Sequence, residues 1–136
     1  MVNYSKTLSK TSENELIAYF QMDMPWPLKS RDMVQKQTIH LNQNKDILVC
    51  VSTSLPDYIA RKPEFVRVEE SDIRWTVKQL SSADVQVTYE FFSDPHVKIP
   101  SQIEQGFISN GPISVLEKLE DYFKMPKVHM LHPTSK

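Results

Sequence analysis

The apolar residues of the first two-thirds of the chain recur with a period of two. Across 15–24, Leu16, Ala18, Phe20, Met22 and Met24 fall on one side of an extended backbone, and Glu15, Tyr19, Gln21 and Asp23 take most of the other. That alternation predicts a strand buried on one face. A second strand is predicted over 32–41, carrying Val34, Thr38 and Ile39, and a third over 47–54, joined by the polar turn Asn42-Gln43-Asn44-Lys45-Asp46. Three more are predicted over 65–69, 74–80 and 85–92, separated by the turn formers Glu70-Ser71-Asp72 and Ser81-Ser82-Ala83-Asp84. Links this short predict antiparallel pairing.

Beyond Pro100 the period lengthens. Ile99, Ile103 and Phe107, then Leu116, Leu119 and Phe123, recur at helical spacing, with Ser101, Gln102, Glu104 and Glu117 on other faces. A long C-terminal helix is expected, kinked at Asn110-Gly111-Pro112 because proline removes a backbone donor and crowds the preceding turn. The fold class is therefore α+β: a curved antiparallel sheet wrapped around the terminal helix, whose apolar stripe is satisfied by packing into the concave face. One domain is expected over 1–124, with 125–136 as a tail. The six methionines suit a space between sheet and helix, because thioether side chains adapt to irregular volumes.

Composition narrows the chemistry. A chain of 136 residues, 40% hydrophobic, matches one globular domain. Sixteen basic against seventeen acidic residues, with no dense basic run, give nucleic acid no electrostatic footprint. Gly106 and Gly111 are the only glycines, too few for a dinucleotide or P-loop phosphate cradle. Cys50 stands alone, which excludes an intrachain disulfide and a cysteine-rich zinc site and predicts a buried thiol in a reducing compartment. Residues 1–6 lack the basic-then-apolar order of an export signal, and the longest apolar run, 47–51, is far below the roughly 20 residues of a membrane span. A soluble, cytoplasmic protein is expected. His40, His96, His129 and His132 occupy no catalytic motif, and the His129/His132 pair lacks nearby carboxylates or thiols. No catalytic residue, metal site or cofactor is predicted.

Four segments carry a resemblance. Met24-Pro25-Trp26-Pro27-Leu28-Lys29-Ser30-Arg31-Asp32-Met33-Val34 resembles the START (steroidogenic-acute-regulatory-protein-related lipid transfer) family. Phe65-Val66-Arg67-Val68 with Trp75, then Phe92-Ser93-Asp94-Pro95-His96-Val97-Lys98-Ile99-Pro100, then 108–119 resemble later family landmarks in the same order. The resemblance implies a helix-grip fold holding a lipid, sterol or other apolar molecule in a tunnel between sheet and helix, and carriage in place of turnover. It also implies that the first third of the family fold has no counterpart here, which would leave a sheet edge open and favour a homo-oligomer. Family members that bind sterol bury an acid and an arginine at places that resemble Ala18 and Gln37, so the charged pair is absent.

The alternation assigns candidate ligand contacts. Ala18, Phe20 and Met22 on one strand, and Met33, Gln35 and Gln37 on the next, are expected to face the tunnel, with Ile39 and Leu41 continuing that side. Val87, Tyr89 and Phe91 on the last strand and Ile103 and Phe107 on the helix complete the wall. Leu55, Tyr58 and Ile59 lie in a segment that resembles the family's loop over the tunnel mouth, where Arg61 and Lys62 would meet anionic headgroups during transient membrane contact. Arg31-Asp32 is read as a strand anchor. Two rival functions use the same cavity: a cyclase- or hydrolase-like enzyme with converging polar groups, and a module that docks a protein segment on the concave face.

Overall fold

A computed structural model describes residues 2–94 and 111–124. Among the described residues seven strands form one sheet: β1 (Val2–Ser12), β2 (Glu15–Met22), β3 (Arg31–Leu41), β4 (Ile47–Ser54), β5 (Val66–Arg67), β6 (Glu70–Gln79) and β7 (Val85–Asp94), followed by the helix α1 (Gly111–Lys124). The spatial order is β1-β2-β3-β4-β6-β7, with β5 laid beside the start of β3. All pairs are antiparallel except the two-residue β3–β5 pair. The chain divides into two compact units, 1–98 with the sheet and 99–136 with the helix.

Tight turns set the register. Asn42 organises the β3–β4 turn: its Oδ1 accepts the amides of Asp46 and Ile47 at 3.0 Å, and its Nδ2 donates to Asp46 Oδ1 at 2.6 Å. Lys45 takes a positive φ of 60° there, a backbone state an exposed turn residue tolerates. Ser81 plays the corresponding part between β6 and β7, its Oγ accepting the amides of Ala83 and Asp84 at 3.2 and 3.1 Å.

Three sequence expectations change. β1 was not foreseen, because nearly all of its side chains are exposed and it lacks a buried alternation. Glu70-Ser71-Asp72 is not a turn; these residues pair with Asp94, Ser93 and Phe92, and cross-strand pairing overrides their turn preference. The strand expected over 65–69 shrinks to β5, whose two residues pair with Arg31 and Asp32; the amides of Val66 and Val68 donate to the Ser30 and Asp32 carbonyls. Gly111 and Pro112 are the first two residues of α1, where proline's missing N–H is harmless; Asn110 of the expected kink lies outside the described residues. The part of the expected helix over 99–110, and the tail over 125–136, lie outside the described residues.

The core of the sheet sits at β2, β3 and the segment around β5. Ala18, Tyr19, Met33, Val34 and Val68 are buried, together with the polar Arg31, Asp32, Gln35, Ser52, Arg67 and Ser71. No helix among the described residues is long and apolar enough to cross a membrane.

Candidate ligand-binding face

Directly opposed residues in an antiparallel ladder project to the same side. Met22 opposes Arg31, Phe20 opposes Met33, Ala18 opposes Gln35 and Leu16 opposes Gln37. Gln35 and Gln37 in turn oppose Ser54 and Ser52, Ser52 and Cys50 oppose Ile73 and Trp75, and Ile73, Trp75 and Val77 oppose Phe91, Tyr89 and Val87. The predicted Ala18, Phe20, Met22, Met33, Gln35, Gln37, Val87, Tyr89 and Phe91 therefore share one face. The register adds Cys50, Ser52, Ile73 and Trp75, which the sequence reading did not place there, and keeps Arg31 at the start of the face, where the alternation along β3 puts it. Ile103 and Phe107 lie outside the described residues.

The face has an apolar field and a neutral polar strip. Trp75 and Tyr89 pack with ring centroids 4.4 Å apart, and Tyr89 and Phe91 stack at 6.4 Å. Between them and Phe20, Gln35 donates from Nε2 to Ser71 Oγ at 3.3 Å, and Ser54 Oγ donates to the Ser71 carbonyl at 3.1 Å. Burial pushes the Cys50 thiol and the Tyr89 phenol above their ordinary pKa values, holding both neutral. Among the described residues of β2, β3, β4, β6 and β7, Arg31 is the one charged residue on this face. It is only 4% exposed, its Nη1 donates to the Lys29 carbonyl, and burial lowers its pKa.

The opposite face carries the anchor. Asp32 and Arg67 form a buried bidentate pair at 2.8 and 2.9 Å, and Tyr19 Oη donates to Asp32 Oδ2 at 3.1 Å. Arg67 also donates to the carbonyls of Pro56, Ile59 and Ala60, so one guanidinium ties the segment 55–65 to the sheet. Within that segment Leu55 and Ile59 are half-buried and Tyr58 is exposed. Arg61 pairs with Asp57 at 3.1 Å and Glu69 at 2.7 Å, while Lys62 stands 5.0 Å from the Tyr19 ring centre. The neighbouring segment 23–30 contacts it through Lys29 Nζ, which donates to the Pro63 carbonyl. At its tip Trp26 is 91% exposed, a feature its place in the motif did not announce. An open depression of about 550 Å³, lined by Val51, Thr53, Asp72, Arg74, Glu90 and Phe92 with Ile73 and Phe91, lies mainly on this opposite side.

The START domain family model matches residues 1–125. The chain belongs to the START family. This START chain is 30% identical over 104 residues to an uncharacterised protein of Pseudomonas aeruginosa, covering 74% of the chain and 50% of that protein. It is 23% identical over 120 residues to the mouse phosphatidylcholine transfer protein, covering 85% of the chain and 56% of that protein. Among solved structures, a STAR-related lipid transfer protein fragment from Xanthomonas axonopodis superposes with a TM-score of 0.76 at 26% identity, over 91% of the chain and 68% of that structure. Human STARD10 superposes at 0.74 and 19% identity, over 92% and 51% respectively, a likeness of fold. The START chain spans about half the length of the curated relatives it matches. Its α+β class, with a curved antiparallel sheet and a C-terminal helix, is the expected one.

Proposed function

We propose that residues 1–124 form a lipid-binding START domain that holds a lipid or other hydrophobic small molecule on the face from Phe20 to Phe91 and carries it between membranes in the cytoplasm. The observation that carries this reading is the face itself. Its register joins Phe20, Met33, Ile73, Trp75 and Phe91 into one apolar field, crossed by the Gln35 amide and the Ser54 and Ser71 hydroxyls, which already have partners. A ligand covering several such side chains gains about 1.5–3 kcal/mol for each one fully buried, enough for micromolar binding without polar contacts. The relatives whose names record lipid transfer support it.

Turnover by a cyclase or hydrolase would need a general acid or base facing the ligand. The register puts no Asp, Glu or His of β2, β3, β4, β6 or β7 on this face, and its Cys50 and Tyr89 are held neutral, which favours carriage. Membrane contact is assigned to the end where 23–30 and 55–65 meet, through Trp26, with Leu55, Tyr58 and Ile59 forming the mouth. A homo-oligomer is proposed through the outer side of β7, which no other strand among the described residues pairs.

Native mass spectrometry of the purified chain, followed by denaturing extraction, tests the reading. A co-purifying lipid, or one acquired from vesicles, is expected; a protein that acquires none from any vesicle overturns it.

A further inference from the structure

We propose that Arg31 receives the oxyanion of the bound amphiphile, a phosphodiester or a carboxylate, at the end of the apolar face. The proposal rests on the reading of that face as a lipid site and names the headgroup chemistry it selects.

The chain holds two buried arginines and treats them differently. Arg67, 5% exposed, is saturated by both Asp32 oxygens and three loop carbonyls. Arg31, 4% exposed, has one acceptor among the described residues, the Lys29 carbonyl. A guanidinium carries five N–H donors and cannot discard its charge. The adjacent Asp32 cannot supply the missing anion, because successive strand residues project to opposite faces and its two oxygens are already bound to Arg67. No fully enclosed side-chain nitrogen or oxygen among the described residues lacks a partner, so Nε and Nη2 of Arg31 each keep a reachable edge. The fork of Nε and Nη2 is the geometry that grips a phosphate or carboxylate bidentately.

Position gives the fork its meaning. Arg31 opens β3, opposite Met22, and the face runs away from it through Phe20 and Met33 toward Ile73 and Phe91. An amphiphile laid on this face with its oxyanion on Arg31 puts its chains over apolar side chains and its headgroup beside the 23–30 segment. An uncharged lipid would leave the guanidinium without a counter-charge, so the site discriminates by headgroup charge as well as shape.

The test uses the full chain and vesicles containing phosphatidylcholine, a fatty acid and diacylglycerol with matched acyl chains, reading retained lipid by native mass spectrometry and extraction. The wild type is expected to retain phosphatidylcholine or fatty acid over diacylglycerol by about tenfold, the worth of one charge-assisted hydrogen-bonded pair. Arg31→Gln is expected to bring that preference to near parity, with Arg31→Lys between. Equal retention of diacylglycerol by the wild type overturns the proposal even if no variant folds, and leaves lipid carriage standing. A preference that survives in Arg31→Gln also overturns it. Thermal stabilisation by inorganic phosphate alone, without lipid preference, reassigns Arg31 to a free anion and overturns the headgroup role. Uptake of no lipid at all removes both this proposal and the carrier reading.

Discussion

Arg31 and Asp32 are neighbours in the chain, yet their side chains serve opposite faces of the sheet, and the Asp32–Arg67 pair is where single substitutions should be most costly. Both side chains are 1% exposed, so removing one partner strands a buried charge. Asp32→Asn is expected to destabilise the fold by about 3–5 kcal/mol, read as a lower urea midpoint with an unchanged slope. A loss well under 1 kcal/mol would mean that the loop carbonyls alone satisfy Arg67. Replacing both partners together, Asp32→Leu with Arg67→Met, should cost less than the sum of the single changes, because no orphaned charge remains. Cys50 gives a pH signature. Its folded pKa is raised by burial, so the folded and unfolded thiols are both neutral below the unfolded value and the full contribution is present there. As pH climbs past about 8.5–9 the unfolded thiol ionises first, and stability is lost toward the folded pKa. Denaturation midpoints should therefore fall on the alkaline side, and Cys50→Ser should flatten that fall; an unchanged slope would assign it to other groups such as Tyr89.

Among the elements, the segments 23–30 and 55–65 are the ones the proposed function sets against a membrane. The cations expected to meet anionic headgroups are engaged: Arg61 with Asp57 and Glu69, Lys62 over Tyr19. The exposed group is Trp26, an amphipathic ring suited to the headgroup level of a bilayer. Trp26→Ser is expected to lower vesicle binding and lipid exchange by about tenfold, with a weak dependence on salt for the wild type. Exchange that collapses in moderate salt would return the role to Arg61 and Lys62. Tyr58→Ser with Ile59→Ser should slow exchange while leaving vesicle binding intact, separating the mouth from the anchor. How far such assignments could be read from sequence depended on alternation. β2, β3, β4 and β7 are legible from a period of two, and so is the shared face of Phe20, Gln35 and Tyr89. β1 is not, since Val2, Tyr4 and its lysines are exposed alike and leave no buried side to detect. Ser52, Ile73 and Trp75 join the face only through strand order and register, which no local pattern encodes. Arg31 looked like half of an anchor because its neighbour is one; that Asp32 spends both oxygens on Arg67, 35 residues away, is visible only after folding.

At the scale of the whole molecule the two edges of the sheet differ in kind. β1 carries Lys6 and Lys10 and its pairing with β2 shifts register three times, devices that discourage another strand from adding to it. β7 has none of them. Its ten residues pair with β6 in unbroken register, without lysine, arginine or proline, and Val85, Phe91 and Phe92 are 58%, 47% and 56% exposed. Among the described residues β7 bonds only to β6, so its outer row of amides and carbonyls is a template for a further strand. Two copies meeting β7 to β7 about a two-fold axis would satisfy both rows at once and close the assembly, whereas β7 meeting β1 would propagate without closing. A dimer is therefore expected in light scattering of the purified chain. Thr88→Lys with Phe92→Lys, both on the face opposite the lipid site, puts like charges on each side of the axis and should shift the dimer to monomer while leaving lipid retention intact. A wild-type chain that is monomeric at every concentration would remove β7 as an interface. Loss of lipid together with the dimer would instead make the second copy part of the binding site, because the Phe91 end of the apolar face lies on the same strand as the edge.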